Sequence, residues 1–219
     1  MPRVARSDEE VEAVKDGIVR SAMGILVEEG FEGLTMEKVG NRMSMTAANL
    51  YKYFVNKMDL FREIHKRTFD LLYAKLSRSY GPQDDELEKV VKMIEAYVRF
   101  GLEYPNYYEV MFNVPTPKYT DFIGTQFEEA ALEERQNAMK LLDLVVGAVE
   151  ELVASRPGLR GMDATNLALR YWCTLHGLVS LHINRFMEAV GADTERLAAQ
   201  IIGQALRPLR EDAGESAEA

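Results

Sequence analysis

An asparagine amide can donate to adenine N7 and accept from its N6 amine in one plane. Asn49 offers that amide within the run Thr46-Ala47-Ala48-Asn49-Leu50-Tyr51-Lys52-Tyr53. Ala47 and Ala48 allow close approach and present methyl groups suited to a thymine methyl. Tyr51, Lys52 and Tyr53 carry donors for phosphate oxygens. Lys57, in the first turn of the following helix, sits among free amide groups that favour an anion. A lysine there is mildly unfavourable against the helix dipole unless a phosphate meets it. Thr35 and Met36, at the start of the preceding helix, complete the DNA-binding set expected from the sequence.

No other constellation supports a reaction. The three histidines, His65, His176 and His182, lack metal-ligand spacing with any acid or with the single cysteine, Cys173. That lone cysteine forbids an internal disulfide and fits a reducing compartment. Asp84, Asp85 and Glu88 lie just after Gly81-Pro82, where acids serve a helix start. No nucleophile–base set is visible, so neither enzyme, metal nor cofactor is expected.

Two apolar groups suit a ligand. Tyr97, Phe100, Tyr104, Tyr107, Tyr108, Met111 and Phe112 are the densest aromatic patch, fit either for an adaptable pocket or for plain core. Trp172 and His176, spaced i, i+4, share a helix face. There the imidazole is either a polar handle or a packed histidine bonded to a carbonyl. The expected ligand set is Tyr97, Phe100, Tyr104, Tyr108, Met111, Phe112, Trp172 and His176.

These residues need helices to hold them. Val11, Val14, Ile18, Ala22 and Ile25 recur at helical spacing from Asp8 to Glu29, and Gly30 ends that helix. Thr35 and Thr46 stand as N-caps eleven residues apart, leaving the first helix of a helix-turn-helix about two turns. Asn56 caps the next helix, with Asp59 at its third position. Further periodic segments run over 85–103, 124–155, 164–190 and 194–210, Asp163 capping the third. The segment 164–190 carries two adjacent apolar stripes, an arc wider than one domain face needs, so a second surface must cover it. Tyr171, Leu178, His182 and Phe186, with Leu197, Ile201 and Leu206 of the last helix, are the expected dimer interface. The 219 residues are 47% hydrophobic, enough for one large or two small cores. No apolar run approaches the ~20 residues of a membrane span, and a cytoplasmic protein is expected.

Charge restricts any nucleic-acid surface to the N-terminal part. Residues 1–67 hold eleven acids and eleven bases, so the whole net charge of −9 lies beyond them. Arg3 and Arg6 suit either a DNA-touching arm or a disordered tail.

The stretch EEGFEGLTMEKVGNRMSMTAANLYKYFVNKMDLF resembles the tetracycline-repressor (TetR) family of bacterial transcription regulators. Leu50, Tyr51, Tyr53, Phe54, Asn56, Lys57, Leu60 and Phe61 fit the family's L-Y-x-Y-F-x-N-K-x-x-L-F run. The turn departs from the family at Gly40, Met43 and Ser44, and Ala48 replaces a usual glycine. WCTLHG, Trp172 to Gly177, resembles the tryptophan-histidine-glycine signature of one subgroup. The resemblance implies an all-α protein of about nine helices. It would have a helix-turn-helix domain over 1–56, a helical ligand-binding and dimerisation domain over 57–210 and an acidic tail over 211–219. It also implies a homodimeric repressor on a palindromic operator, released by a small apolar or aromatic effector. The alternative is a helical ligand-binding or interaction protein that no longer reads DNA.

Overall fold

The computed structural model of the chain describes residues 7–115 and 117–211, the side chains of 130 and 205–211 excepted. Among them are ten α-helical segments and no strand: α1 Asp8–Gly33, α2 Met36–Arg42, α3 Ala47–Leu50, α4 Lys57–Ser77, α5 Glu86–Glu103, α6 Pro105–Tyr108, α7 Glu128–Ser155, α8 Ala164–Ile183, α9 Phe186–Ala189 and α10 Thr194–Glu211. A π-helical turn, Glu109–Asn113, follows α6. None of the described helices is long and apolar enough to cross a membrane.

Local chemistry sets the starts. Ser7 and Glu10 form a reciprocal capping box on α1, as Asp85 and Glu88 do on α5. Asn56 Oδ1 accepts from the Asp59 amide at 2.9 Å, while Asp59 Oδ2 accepts from the Val55 amide at 2.9 Å. Asp163 caps α8 through the Asn166 amide at 2.8 Å. Gly30 breaks α1 with φ 72°, a conformation that disfavours a β-carbon. The apolar segment 164–190 is not one helix. Arg185 takes φ 59°, and the Asn184 side chain donates to the Ser180 carbonyl, so the chain breaks between α8 and α9.

The helices assemble into two compact units. The first comprises residues up to Phe69 with Asn106–Gln136. Its core packs Ile18, Ala22, Ile25 and Leu26 of α1 with Val39, Leu50, Phe54, Leu60, Phe61 and Ile64. Val110, fully buried, joins the same core, so the head draws on far more chain than its helix-turn-helix. His65 is 6% exposed, between Phe61 and Phe69, with Nδ1 2.6 Å from Glu134 Oε1. The second unit comprises Asp70–Pro105 and the chain from Asn137 onward, with α5 packed on α8 and α10. His182 Nδ1 lies 2.9 Å from Thr194 Oγ1, tying α8 to the start of α10.

Candidate DNA-reading head and ligand chamber

The turn of the head is built around Gly40. Its carbonyl accepts from the amides of Met43 at 3.1 Å and Met45 at 2.8 Å. A β-carbon on Gly40 would stand 2.6 Å from the Met45 carbonyl oxygen, so only glycine fits this crossing. Ser44 then takes φ 54°, the left-handed conformation that glycine adopts at no cost. The departure noted in the sequence is thus accommodated with a serine in a position that favours glycine.

α3 is too short to stand alone. The Thr46 hydroxyl accepts from the Asn49 amide at 3.3 Å, and Leu50 is wholly buried, which contributes about 1.5–3 kcal/mol. Three further turn-like residues continue the helix, the Tyr53 amide bonding to the Leu50 carbonyl at 2.9 Å. Fixed in this way, α3 presents Ala48, Tyr51 and Lys52 as exposed residues, with Ala47, Asn49 and Tyr53 half-buried. Among the described residues, the Asn49 side-chain amide has no hydrogen-bond partner, so its pairing groups are available. Thr35 is exposed and caps α2 through the Lys38 amide at 3.2 Å. Met36 differs from the expectation of a DNA-facing residue, its side chain being buried in the head's core. Lys57 also differs, because its ammonium lies 4.0 Å from the centre of the Phe31 ring. The ring face offsets the unfavourable helix-start position before any phosphate arrives. The arm with Arg3 and Arg6 lies outside the described residues.

Several other cations of the head are tied to acids. Lys38 pairs with Glu29 and Arg42 with Glu28. The Arg42 hydrogen bond holds the Glu28 carboxyl below the ordinary carboxylate range. Arg67 reaches Asp16, Glu63 and Glu12 together.

The second unit contains a chamber lined by side chains from four helices: Leu76 of α4; Val90, Met93, Ile94 and Tyr97 of α5; Val145, Ala148 and Val149 of α7; Ala168, Tyr171, Trp172 and Leu175 of α8. Its volume is about 70 Å³, well below the ~300 Å³ at which ligand pockets begin. None of its lining side chains is charged. Trp172 Nε1 donates to the Tyr97 hydroxyl at 2.9 Å.

Of the eight residues expected to bind ligand, the chamber takes Tyr97 and Trp172. Phe100 and Tyr104 stack on each other at 5.6 Å outside its lining, and Phe100 is wholly buried. Tyr108, Met111 and Phe112 belong to the other unit, where Tyr108 is wholly buried against Phe112. His176 lies beside Trp172, ring centres 5.5 Å apart, and is not among the lining residues. The aliphatic majority of the lining was missed, since valines and alanines at helical spacing look like any core.

The interface set divides similarly. Leu178 is buried within the chain itself, and Tyr171 faces the chamber. Phe186 is 52% exposed, Leu197 and Ile201 are half-buried, and the Leu206 side chain lies outside the described residues. Leu169 and Leu181, which the expectation omitted, are exposed on α8, as is Cys173.

Comparison with known proteins agrees with this architecture. The family profile described as "Bacterial regulatory proteins, tetR family" matches residues 18–64, and that described as "Tetracyclin repressor-like, C-terminal domain" matches residues 90–205. The uncharacterised HTH-type transcriptional regulator Rv0681 of Mycobacterium tuberculosis is 25% identical over 179 residues, covering 82% of this chain and 74% of that protein. Two solved structures share the fold. The fatty acid degradation regulator FadR of Bacillus halodurans has TM-score 0.65 at 16% identity, covering 93% of this chain and 97% of that one. FadR of Bacillus subtilis, in complex with stearoyl-CoA, has TM-score 0.62 at 17% identity, covering 87% and 96%. With a tight-turned helix pair in the first unit, a helical chamber in the second and both family profiles matched in order, the chain belongs to the TetR family of bacterial transcription regulators.

Proposed function

We propose that the protein is a repressor that holds a palindromic operator as a homodimer and leaves it when an apolar effector fills the chamber. The carrying observation is α4. That one helix gives Leu60, Phe61 and Ile64 to the head's core and Leu76 to the chamber wall. An effector that favours a wider chamber displaces the Leu76 end and biases where the same helix holds α2 and α3. The effect on DNA is then the difference in effector affinity between two arrangements.

In this reading the Asn49 amide reads a base edge, while Tyr51, Lys52, Tyr53 and Lys57 set the register on phosphates, with the Thr35 hydroxyl near the backbone. The exposed apolar residues of α8 and α9, Leu169, Leu181 and Phe186, with Leu197 and Ile201 of α10, meet a second copy about a two-fold axis. Symmetry then sets two copies of α3 on matching half-sites. The uncharged lining suits an apolar chain, and the acyl chain of the stearoyl-CoA bound by the B. subtilis FadR is one such molecule.

The test begins with DNA selected from random sequence by the full-length protein. Fluorescence anisotropy should show two protomers per palindromic site, and Asn49→Ala should weaken binding to that site by ~1–3 kcal/mol while leaving random DNA unchanged. Stearoyl-CoA should release the wild type, and coenzyme A alone should not. Equal discrimination by Asn49→Ala and wild type would remove Asn49 from readout. Failure of both acyl and other apolar compounds to release DNA would refute effector control through the chamber.

A further inference from the structure

We propose that Trp172 is the movable wall of the chamber, that the Tyr97 hydroxyl holds it shut, and that the ligand it admits is a neutral apolar chain. This inference rests on the chamber being the effector site.

At about 70 Å³ the chamber must open before anything larger than a few waters enters. Nine of its twelve lining side chains are buried, and moving any of them would disturb core packing. Val145 and Tyr171 are half-buried. Trp172, by contrast, is 39% exposed while also forming part of the lining. On α8 it sits at the border between the inward Ala168 and Leu175 and the outward Leu169 and Cys173. Its ring therefore has an exposed side toward which it can swing. The 2.9 Å hydrogen bond to Tyr97, a residue only 7% exposed on the opposing α5, resists that swing, as does the neighbouring His176 ring.

The ligand's charge follows from the same lining. An ionised carboxylate placed inside would lose its hydration and find no cation among the twelve residues. Burial already pushes the Tyr171 phenol above its ordinary value, against the opposing pull of Arg170, so this wall disfavours a negative charge. A neutral chain meets no such penalty.

Trp172 is the chain's single tryptophan, so its emission reports the wall directly. The probes are 1-decanol and decanoate, equal in length and different in charge at pH 8. 1-Decanol should shift Trp172 emission at concentrations at least about ten-fold lower than decanoate. Tyr97→Phe and Trp172→Phe each remove the hydrogen bond from one side, and each should tighten 1-decanol binding by calorimetry about two- to ten-fold. The double variant should gain no more than either single one, since the bond can be lost only once. Equal potency of decanoate, unchanged affinity in both variants, or gains that multiply in the double variant would each overturn the proposal. If the emission and affinity changes appear and the selected DNA stays bound, the release function fails and the wall stands. If stearoyl-CoA releases DNA with Trp172 emission unchanged, the wall fails and the function stands.

Discussion

Replacing Gly40 with alanine sets two effects of opposite sign against each other. In the body of a helix, alanine should gain about 0.5–1 kcal/mol over glycine from the unfolded chain's lower entropy. At this position, however, the new methyl would stand 2.6 Å from the Met45 carbonyl oxygen and 3.5 Å from both the Ala47 nitrogen and Leu50 Cδ1. The obstacle is backbone, pinned because the Met45 amide bonds to the Gly40 carbonyl at 2.8 Å. At Gly24, by comparison, an added β-carbon meets the end of the Arg42 side chain at 2.9 Å, which can swing aside. Relieving the Gly40 clash means opening the turn, at a cost of about 1–3 kcal/mol for overpacking. The clash wins, and Gly40→Ala should lose about 1–2 kcal/mol overall. For a chain of this length that is about 2–8 °C in Tm, read by far-ultraviolet circular dichroism. Because the displaced segment leads directly into α3, binding to selected DNA should weaken more than binding to random DNA. Ser44→Gly is the companion, since it relieves a left-handed serine costing ~1–2 kcal/mol against a glycine entropy penalty of ~0.5–1 kcal/mol. It should be neutral to stabilising. A Gly40→Ala protein as stable and as selective as wild type would refute the tight-turn account.

Two more changes test the second unit. Phe186→Glu or Ile201→Glu places a carboxylate on the face assigned to the second copy and should yield monomers by light scattering; a persistent dimer would place the interface elsewhere. At Gly147, inside α7, an added β-carbon meets nothing within 4 Å, so Gly147→Ala should raise stability by about 0.5–1 kcal/mol in thermal unfolding. A loss there would reveal a neighbour packed against that glycine in solution.

What was legible in the sequence is what acts over a few residues. Thr35, Thr46, Asn56 and Asp163 each cap the helix that follows, because a cap needs only an oxygen and an amide three positions on. The L-Y-x-Y-F run was legible for a related reason, since Leu50 and Phe54 are buried one helical turn apart. The break at Arg185 was not legible, as arginine carries no preference for positive φ and the apolar stripe runs on across it. Nor could spacing show that Tyr97 and Tyr108, eleven residues apart, serve different cores. Met36 sits at helical spacing with Val39 and Met43, so its burial was consistent with the pattern, yet its place at a helix start suggested the DNA side.

The ion pairs of the head bear on how the regulator finds its site. With Lys38 and Arg42 occupied by Glu29 and Glu28, and Arg67 by three acids, few cations remain to displace counterions from DNA. If Lys52 and Lys57 alone contact phosphates, a dimer makes about four such contacts and loses roughly a hundred-fold in affinity between about 50 and 200 mM salt, less than the most electrostatic regulators. Weak attachment to random sequence shortens each visit, so genomic DNA sequesters little of the protein and sliding covers little distance. The search then proceeds mainly by repeated collisions from solution. Under the proposed function, copy number and operator affinity then govern occupancy, and a released dimer is quickly free to rebind once its effector is gone.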